Sequence, residues 1–241
     1  MSYRILILVG VVAALVGLLF MLPNRPGTGQ AGDNSVWAIH AEAPEVIGGY
    51  GDNFCYDGKG VQTLSGTLNL VIAKDGSGSI DVAFSITEGS EPLHPTSSDE
   101  LTGTIKIASH IEASADVRTD IDINGDTADG DPSLPQTHAL LAGRSTFDVY
   151  VNGDLLYENL RGEWSLADAV RQSDGSIRQS GLVYSPLLRD KSGFSDPKRT
   201  EFTLLLHSEK SDANNKPPYA IALHLVFSEV TVEKQPPAVG Q

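Results

Sequence analysis

Cysteine is all but missing from this chain: Cys55 is the only one in 241 residues. One thiol closes no intramolecular disulfide, so a domain built from this sequence is held by core packing alone, or pairs with another chain. Cys55 sits between Phe54 and Tyr56 without the small residues of a lipid-attachment site, and reads as a buried, inert thiol. No base stands beside it to generate a thiolate, and no His follows closely enough for a blue-copper site. Aromatic residues are also few, with seven Phe, seven Tyr and two Trp; at that scarcity most belong to a core. Positive charge is in short supply: 17 Lys and Arg face 31 Asp and Glu, a formal net charge of −14. Such a surface repels nucleic-acid phosphates and anionic lipid headgroups, and excludes nucleic acid as a partner.

Catalytic signatures are missing too. His40, His94, His110, His138, His207 and His224 are dispersed, with no His-x-His pair and no zinc-protease spacing. There is no Gly-x-Ser-x-Gly elbow, phosphate loop or dinucleotide fingerprint; Gly76-Ser77-Gly78-Ser79 is turn composition. No repeat of fixed period occurs.

What the sequence does have begins at its N-terminus. From Ile5 to Leu22, 18 residues pass without a polar side chain. As a helix they cover roughly 27 Å, enough for the hydrocarbon core of a bilayer. A soluble helix would carry a polar face, and this stretch has none. The expected topology keeps residues 1–4 in the cytoplasm. Residues 5–22 cross as a single-pass signal-anchor, and the remainder lies outside, periplasmic or at the cell surface. The competing reading is a cleaved signal peptide. Gly29-Gln30-Ala31 offers small residues for cleavage near Ala31, which would make the domain secreted, but the apolar run exceeds the roughly 7–15 residues of a signal-peptide core. Residues 23–44, rich in Pro and Gly, read as a linker, 45–234 as one domain, and 235–241 as a disordered tail. The first 31 residues hold Arg4 and Arg25 and no acid, so the part beyond carries 15 basic and 31 acidic residues, a net −16.

Period-two alternation dominates from Leu64 onward. Leu64, Leu68, Leu70 and Ile72 form one apolar row, and Ile80, Val82, Phe84 and Ile86 another, across the turn Asp75-Gly76-Ser77-Gly78. Pairing Ile72 with Ile80 and Leu68 with Phe84 puts both rows on one face. Further strands are expected around Ile105, Ile121 and Val149. Asn152-Gly153 is the strongest hairpin signal in the chain. The last hairpin sets Phe202, Leu204 and Leu206 against Tyr219, Ile221, Leu223, Leu225 and Phe227. Leu166 to Gln172 reads as a turn or two of helix, and Asp190 to Arg199 as a loop. Eight to ten short strands without a βαβ rhythm argue for a sandwich or barrel, and the expected fold is an all-β antiparallel sandwich, immunoglobulin-like or jelly-roll-like, after the N-terminal helix.

One loop has the composition of a metal site. Counted from Asp120, oxygen-bearing side chains stand at positions 1, 3 and 5 (Asp120, Asp122, Asn124), glycine at 6 (Gly125), Asp126 at 7 and a carboxylate at 12 (Asp131). The spacing resembles an EF-hand-like calcium loop, which alternates oxygens around a hard cation and turns at glycine. Asp131 replaces the usual Glu, and Pro132 precludes an exiting helix, so the resemblance implies a strand-loop variant with structural calcium bound by Asp120, Asp122, Asn124, Asp126 and Asp131. The competing reading makes these acids the solvent face of a strand and its turn. His138, close by, is a cation ligand or a surface group, and His224 a surface histidine on the polar face of the last hairpin. Asp148 and Glu158, with Trp164 and Tyr157 as a sugar platform, are the carboxylate set that a glycosidase would use.

The functional expectation is a membrane-tethered, extracytoplasmic module with a non-enzymatic binding or structural role at the cell envelope, its partner an envelope protein or a glycan. The alternatives are an exported carboxylate-dependent hydrolase acting on polysaccharide and a calcium-stabilised cell-surface module.

Overall fold

In the computed structural model the described residues are 38–49, 56–58, 61–87, 102–113, 116–209, 222–228 and 230–235, with the backbone alone described in 38–49 and at 62, 234 and 235. Packing divides the chain into Met1–Asn34 and Ser35–Gln241. The fold below is that of the second unit. The expectations for residues 5–22, the cleavage site near Ala31 and Cys55 lie outside the described residues.

Alternation becomes strand throughout. The strands are β1 (Ala38–Gly49), β2 (Val61–Ile72), β3 (Gly78–Ile86), β4 (Gly103–Ile111), β5 (Val117–Ile123) and β6 (Thr137–Val151). They continue as β7 (Asp154–Ala169), β8 (Arg178–Gln179), β9 (Leu182–Val183), β10 (Asp196–His207), β11 (Ala222–Phe227) and β12 (Thr231–Gln235). Every pairing is antiparallel, and no helix occurs among the described residues. The expected all-β antiparallel architecture is therefore present. The long strands do not form two separate ladders. They run in the order β11-β10-β7-β6-β4-β3-β2-β1, and β11 pairs back onto β1, with Ile47 opposite Val226. Eight strands thus join in a ring of hydrogen bonds, which removes their free edges. Two strands sit beside it: β12 continues on the first half of β1, and β5 on the first half of β6.

Inside the ring is one apolar cluster that includes Leu68, Leu70, Ile80, Ile105, Ile107, Phe147, Leu166, Phe202, Leu204 and Leu225. Each such side chain, fully buried, contributes about 1.5–3 kcal/mol. The Phe202 ring stacks on Trp164 at 6.4 Å and tilts against Phe227 at 6.1 Å. Phe147 lies across β7 where Gly162 stands; a Cβ there would come within 2.2 Å of its ring.

The Asn152-Gly153 hairpin forms as expected, with φ of 53° and 94° and Val151 opposite Asp154. The last two long strands also pair as expected, with Phe202 opposite Phe227 and Leu204 opposite Leu225, while Tyr219 and Ile221 lie outside the described residues. The first one moves. Leu70, not Ile72, faces Ile80, and Gly66, not Leu68, faces Phe84. The shift is two residues, so the apolar face is preserved. Its cause is the turn, which closes one residue earlier: Asp75 Oδ1 accepts both the N–H (3.0 Å) and the hydroxyl (2.6 Å) of Ser77, and the Ala73 N–H donates to the Ser77 carbonyl at 2.7 Å. The helical turn expected after Leu166 is strand to Ala169, because Leu166 is paired with Phe202 and Ala167 with Glu201, and tertiary pairing overrides the helix propensity of Leu and Ala. β10 likewise begins at Asp196, inside the expected loop. β1 starts at Ala38, within the stretch read as linker, and accommodates Pro44 at the register shift between Ala43 and Glu45.

A second, smaller cluster holds the segment that leaves β7. Tyr56, Val170, Ile177, Tyr184 and Phe194 pack together, with Tyr184 edge-on to Tyr56 at 5.3 Å and to Phe194 at 5.0 Å.

Candidate functional site

Because side chains alternate along a strand, the residues between the core positions of β6, β7, β10 and β11 face the other way. Register then arranges them in rows. Arg144, Glu163, Leu205 and His224 occupy one row across the four strands, and Ala142, Ser165, Thr203 and Val226 the next. Ala167 and Glu201 stand opposite each other in a third. Arg118 and Ile123 of β5, together with Asn124, Gly130, Asp131 and Leu134 of the following loop, also border this surface. Between them lies a cleft of about 130 Å³, close to the roughly 150 Å³ that accommodates a benzene-sized guest in an engineered cavity. Gly143 lets the Trp164 indole form part of its wall, since a Cβ there would lie 2.6 Å from Trp164 Cζ2.

The charged groups of the cleft are held in place. Glu201 and Arg171 are 4% and 2% exposed. Glu201 Oε2 accepts the backbone N–H groups of Val170 and Arg171, both at 3.0 Å. The Arg171 guanidinium donates to the Gly175 carbonyl at 2.6 Å, and Arg199 donates to the Arg171 carbonyl at 2.7 Å. Burial pushes the Glu201 carboxyl above its ordinary value, opposed by its backbone hydrogen bonds and by the charges of Arg171 and Arg199. At the cleft wall, burial and then the Arg171 charge push His224 down to about 3, so its imidazole is neutral at physiological pH. This corrects the surface position expected for His224. Nearer the opening, Arg144 Nε donates to Glu163 Oε1 at 3.1 Å, and Arg118 pairs with Asp129. Arg144 and Arg118 thus have acidic partners, Glu201 and Arg171 are held by backbone groups, and apolar Ile123, Leu134, Val170 and Leu205 stand between them.

The expected calcium residues are distributed differently. His138 takes Asp120 on one side, Nε2 to Oδ1 at 3.1 Å, and Asp122 on the other, Nδ1 to Oδ1 at 3.2 Å. The hydrogen bond that His138 makes to the Asp122 carboxylate, foremost, raises its pKa. Asn124 is left-handed, with φ of 64°, and its Oδ1 accepts the Asp131 N–H at 2.9 Å. Asp131 Oδ1 accepts the Ser133 N–H at 2.7 Å, and Asp126 is exposed. The loop is closed by its own hydrogen bonds. Among the described residues, no three His, Cys, Asp or Glu side chains gather as a metal-binding group.

The expected glycosidase carboxylates lie on facing stretches of β6 and β7, outside the cleft. Asp148 Oδ1 accepts the Asn159 N–H at 2.9 Å, and Glu158 is exposed. Trp164 is buried in the core with its Nε1 donating to Ser145 Oγ at 3.2 Å, and Tyr157 packs against the same core.

The residues that do converge, Arg171, Glu201 and His224, carried no local signal. Glu201 and His224 alternate with core residues exactly as solvent-facing residues would, and Arg171 follows a strand that the sequence disguises as helix. Comparison of the chain with known proteins finds no matching family model, no matching curated protein and no matching solved structure.

Proposed function

We propose that this chain is a non-enzymatic, membrane-tethered binding module, held outside the cytoplasm by residues 5–22, and that the cleft bordered by β5 receives a small ligand or one protruding group of an envelope partner. The observation that carries the reading is the set of charged side chains fixed around a cavity of about 130 Å³: the Arg144–Glu163 pair at 3.1 Å and the backbone-anchored Glu201. A few oriented polar groups among apolar walls is the usual anatomy of a recognition site. The paired charges favour a polar, uncharged guest such as a sugar unit over a free ion. The closed ring makes a β-barrel the finer description this reading adopts, in place of a sandwich.

A polysaccharide hydrolase is less well supported. It needs two carboxylates within about 5–9.5 Å of each other. The acids bordering the cleft are Asp131, whose Oδ1 accepts the Ser133 N–H, and Glu163 and Glu201; the row positions of the last two on β7, Glu163 itself and Ala167, are four residues apart. At about 3.3 Å per residue that is ~13 Å along the strand.

The test is a thermal-shift and NMR titration of the full chain with a panel of neutral sugars, zwitterions and dicarboxylates, repeated with Ser165→Trp, which fills the cleft. A saturable shift that the filled variant loses supports the reading. No response from any compound in the wild-type chain defeats it.

A further inference from the structure

The segment between Ile177 and Phe194 is unlike the rest of the surface in two respects. The first is apolar exposure. Seven large hydrophobic residues are exposed among the described residues, and four of them, Leu182, Val183, Leu187 and Leu188, lie here. Leu187 is 93% exposed and Leu182 67%. The second is charge. In a chain of net −14, residues 177–194 contain three basic residues and one acidic residue. Arg178, Arg189 and Lys191 flank the exposed leucines in sequence.

The segment is also firmly based. Its two ends are fixed by buried Ile177, Tyr184 and Phe194. β8 and β9 form a small hairpin, with Gln179 opposite Leu182, and the Leu188 N–H closes a turn onto the Ser185 carbonyl at 2.9 Å. Leu187 and Leu188 therefore project from a fixed support instead of collapsing onto the core.

We infer that this apolar, basic-flanked segment is a membrane-contact site that inserts its leucines at the surface of an anionic bilayer. Exposed aliphatic side chains flanked by Arg and Lys are the pattern of interfacial membrane binding, where apolar burial and attraction to anionic headgroups add. A protein-docking surface would be expected to enrich aromatic residues instead, and Leu182, Val183, Leu187 and Leu188 include none. The inference rests on the reading of residues 5–22 as a membrane anchor. Fifteen residues, 23–37, separate that stretch from β1; fully extended they reach about 50 Å. A bilayer is then always within reach, and tethering raises its effective concentration for a weak surface contact. The net negative charge of the remainder would be repelled by the same surface, which selects this segment as the side that touches.

The experiment uses the full chain with Cys55→Ser and Leu187→Cys, labelled at the new thiol with an environment-sensitive fluorophore and reconstituted in phosphatidylglycerol/phosphatidylethanolamine vesicles carrying brominated acyl chains. The expected result is a blue-shifted emission quenched by the bromolipid. Quenching should weaken in phosphatidylcholine vesicles and be lost when Leu182→Asp and Leu188→Asp are added, with the β-sheet circular dichroism unchanged. Unquenched emission from a chain that floats with the vesicles overturns the membrane contact and leaves the anchor standing. A chain that floats with no vesicle defeats the anchor reading, and quenching on added anionic vesicles would still support the contact by itself. A blue shift without lipid quenching, accompanied by cross-linking between labelled chains, assigns the segment to self-association and overturns the proposal.

Discussion

The Arg171 N–H donates to Glu201 Oε2 at 3.0 Å, so a buried carboxylate on β10 fixes the chain where it leaves β7. Val170 donates to the same oxygen. Removing the acceptor orphans two buried donors, each costing about 1–3 kcal/mol. Glu201→Ala is expected to lower the urea midpoint strongly, and Glu201→Gln, which keeps a carbonyl oxygen, much less. Because burial raises the folded-state pKa above 4.5, the contribution of this group to stability is full below that value and is lost as pH rises through the folded pKa. Glu201→Gln should remove that slope, and urea titrations across pH would show it.

His138 gives a second pH signature. Its pKa is raised from 6.5, first by the hydrogen bond with Asp122. Its contribution is complete below pH 6.5 and disappears as pH rises through the raised value. The side chain is 47% exposed, so solvent screening limits the effect to at most about 1 kcal/mol. His138→Gln is expected to flatten the neutral-pH part of the stability profile. An NMR titration in which the imidazole of the wild type titrates at or below 6.5 would contradict the geometry.

Gly162→Ala tests the packing of β7. The new Cβ would meet the Phe147 ring at 2.2 Å, in a core with little room to yield. A loss of about 1–3 kcal/mol is expected, measured by chemical denaturation. A variant as stable as the wild type would mean that Phe147 has an alternative seat.

Calcium should matter little. Asp122 is engaged by His138, Asp129 by Arg118, and Asn124 by the Asp131 backbone. The melting temperature is therefore expected to be the same with calcium and with chelator, since only a ligand of the folded state raises it. A clear rise with calcium, absent in Asp122→Ala, would restore the metal reading.

Local chemistry was the legible part of the fold. Asn152-Gly153 demands two positive φ angles and specifies its hairpin from the dipeptide alone. The row Phe202, Leu204, Leu206 announces a buried face by period two. Closure of the ring was not legible, because it depends on Ile47 meeting Val226, and no pattern within either strand records a partner so distant. The cleft was hidden for the same reason. Glu201, Thr203 and His224 obey the alternation of a solvent face, and only the path of β5 and its loop over them makes that face a wall. The acidic loop has oxygens at the spacing of a cation site; in the structure those of Asp120 and Asp122 meet His138, and those of Asn124 and Asp131 accept backbone amides.

The pairing of Ile47 with Val226 also sets a timetable. A chain delivered N-terminus first presents β1 long before β11 and β12 exist to cover its second edge, the one that β2 does not take. Contacts that distant in sequence form slowly, and unpaired strands are open to aggregation in the interval. The ring can close only after the last strands have arrived. Completion of the ring therefore waits for β11, and a helper that shields the open edge of β1 in the meantime would act on the yield of folded protein without changing its stability.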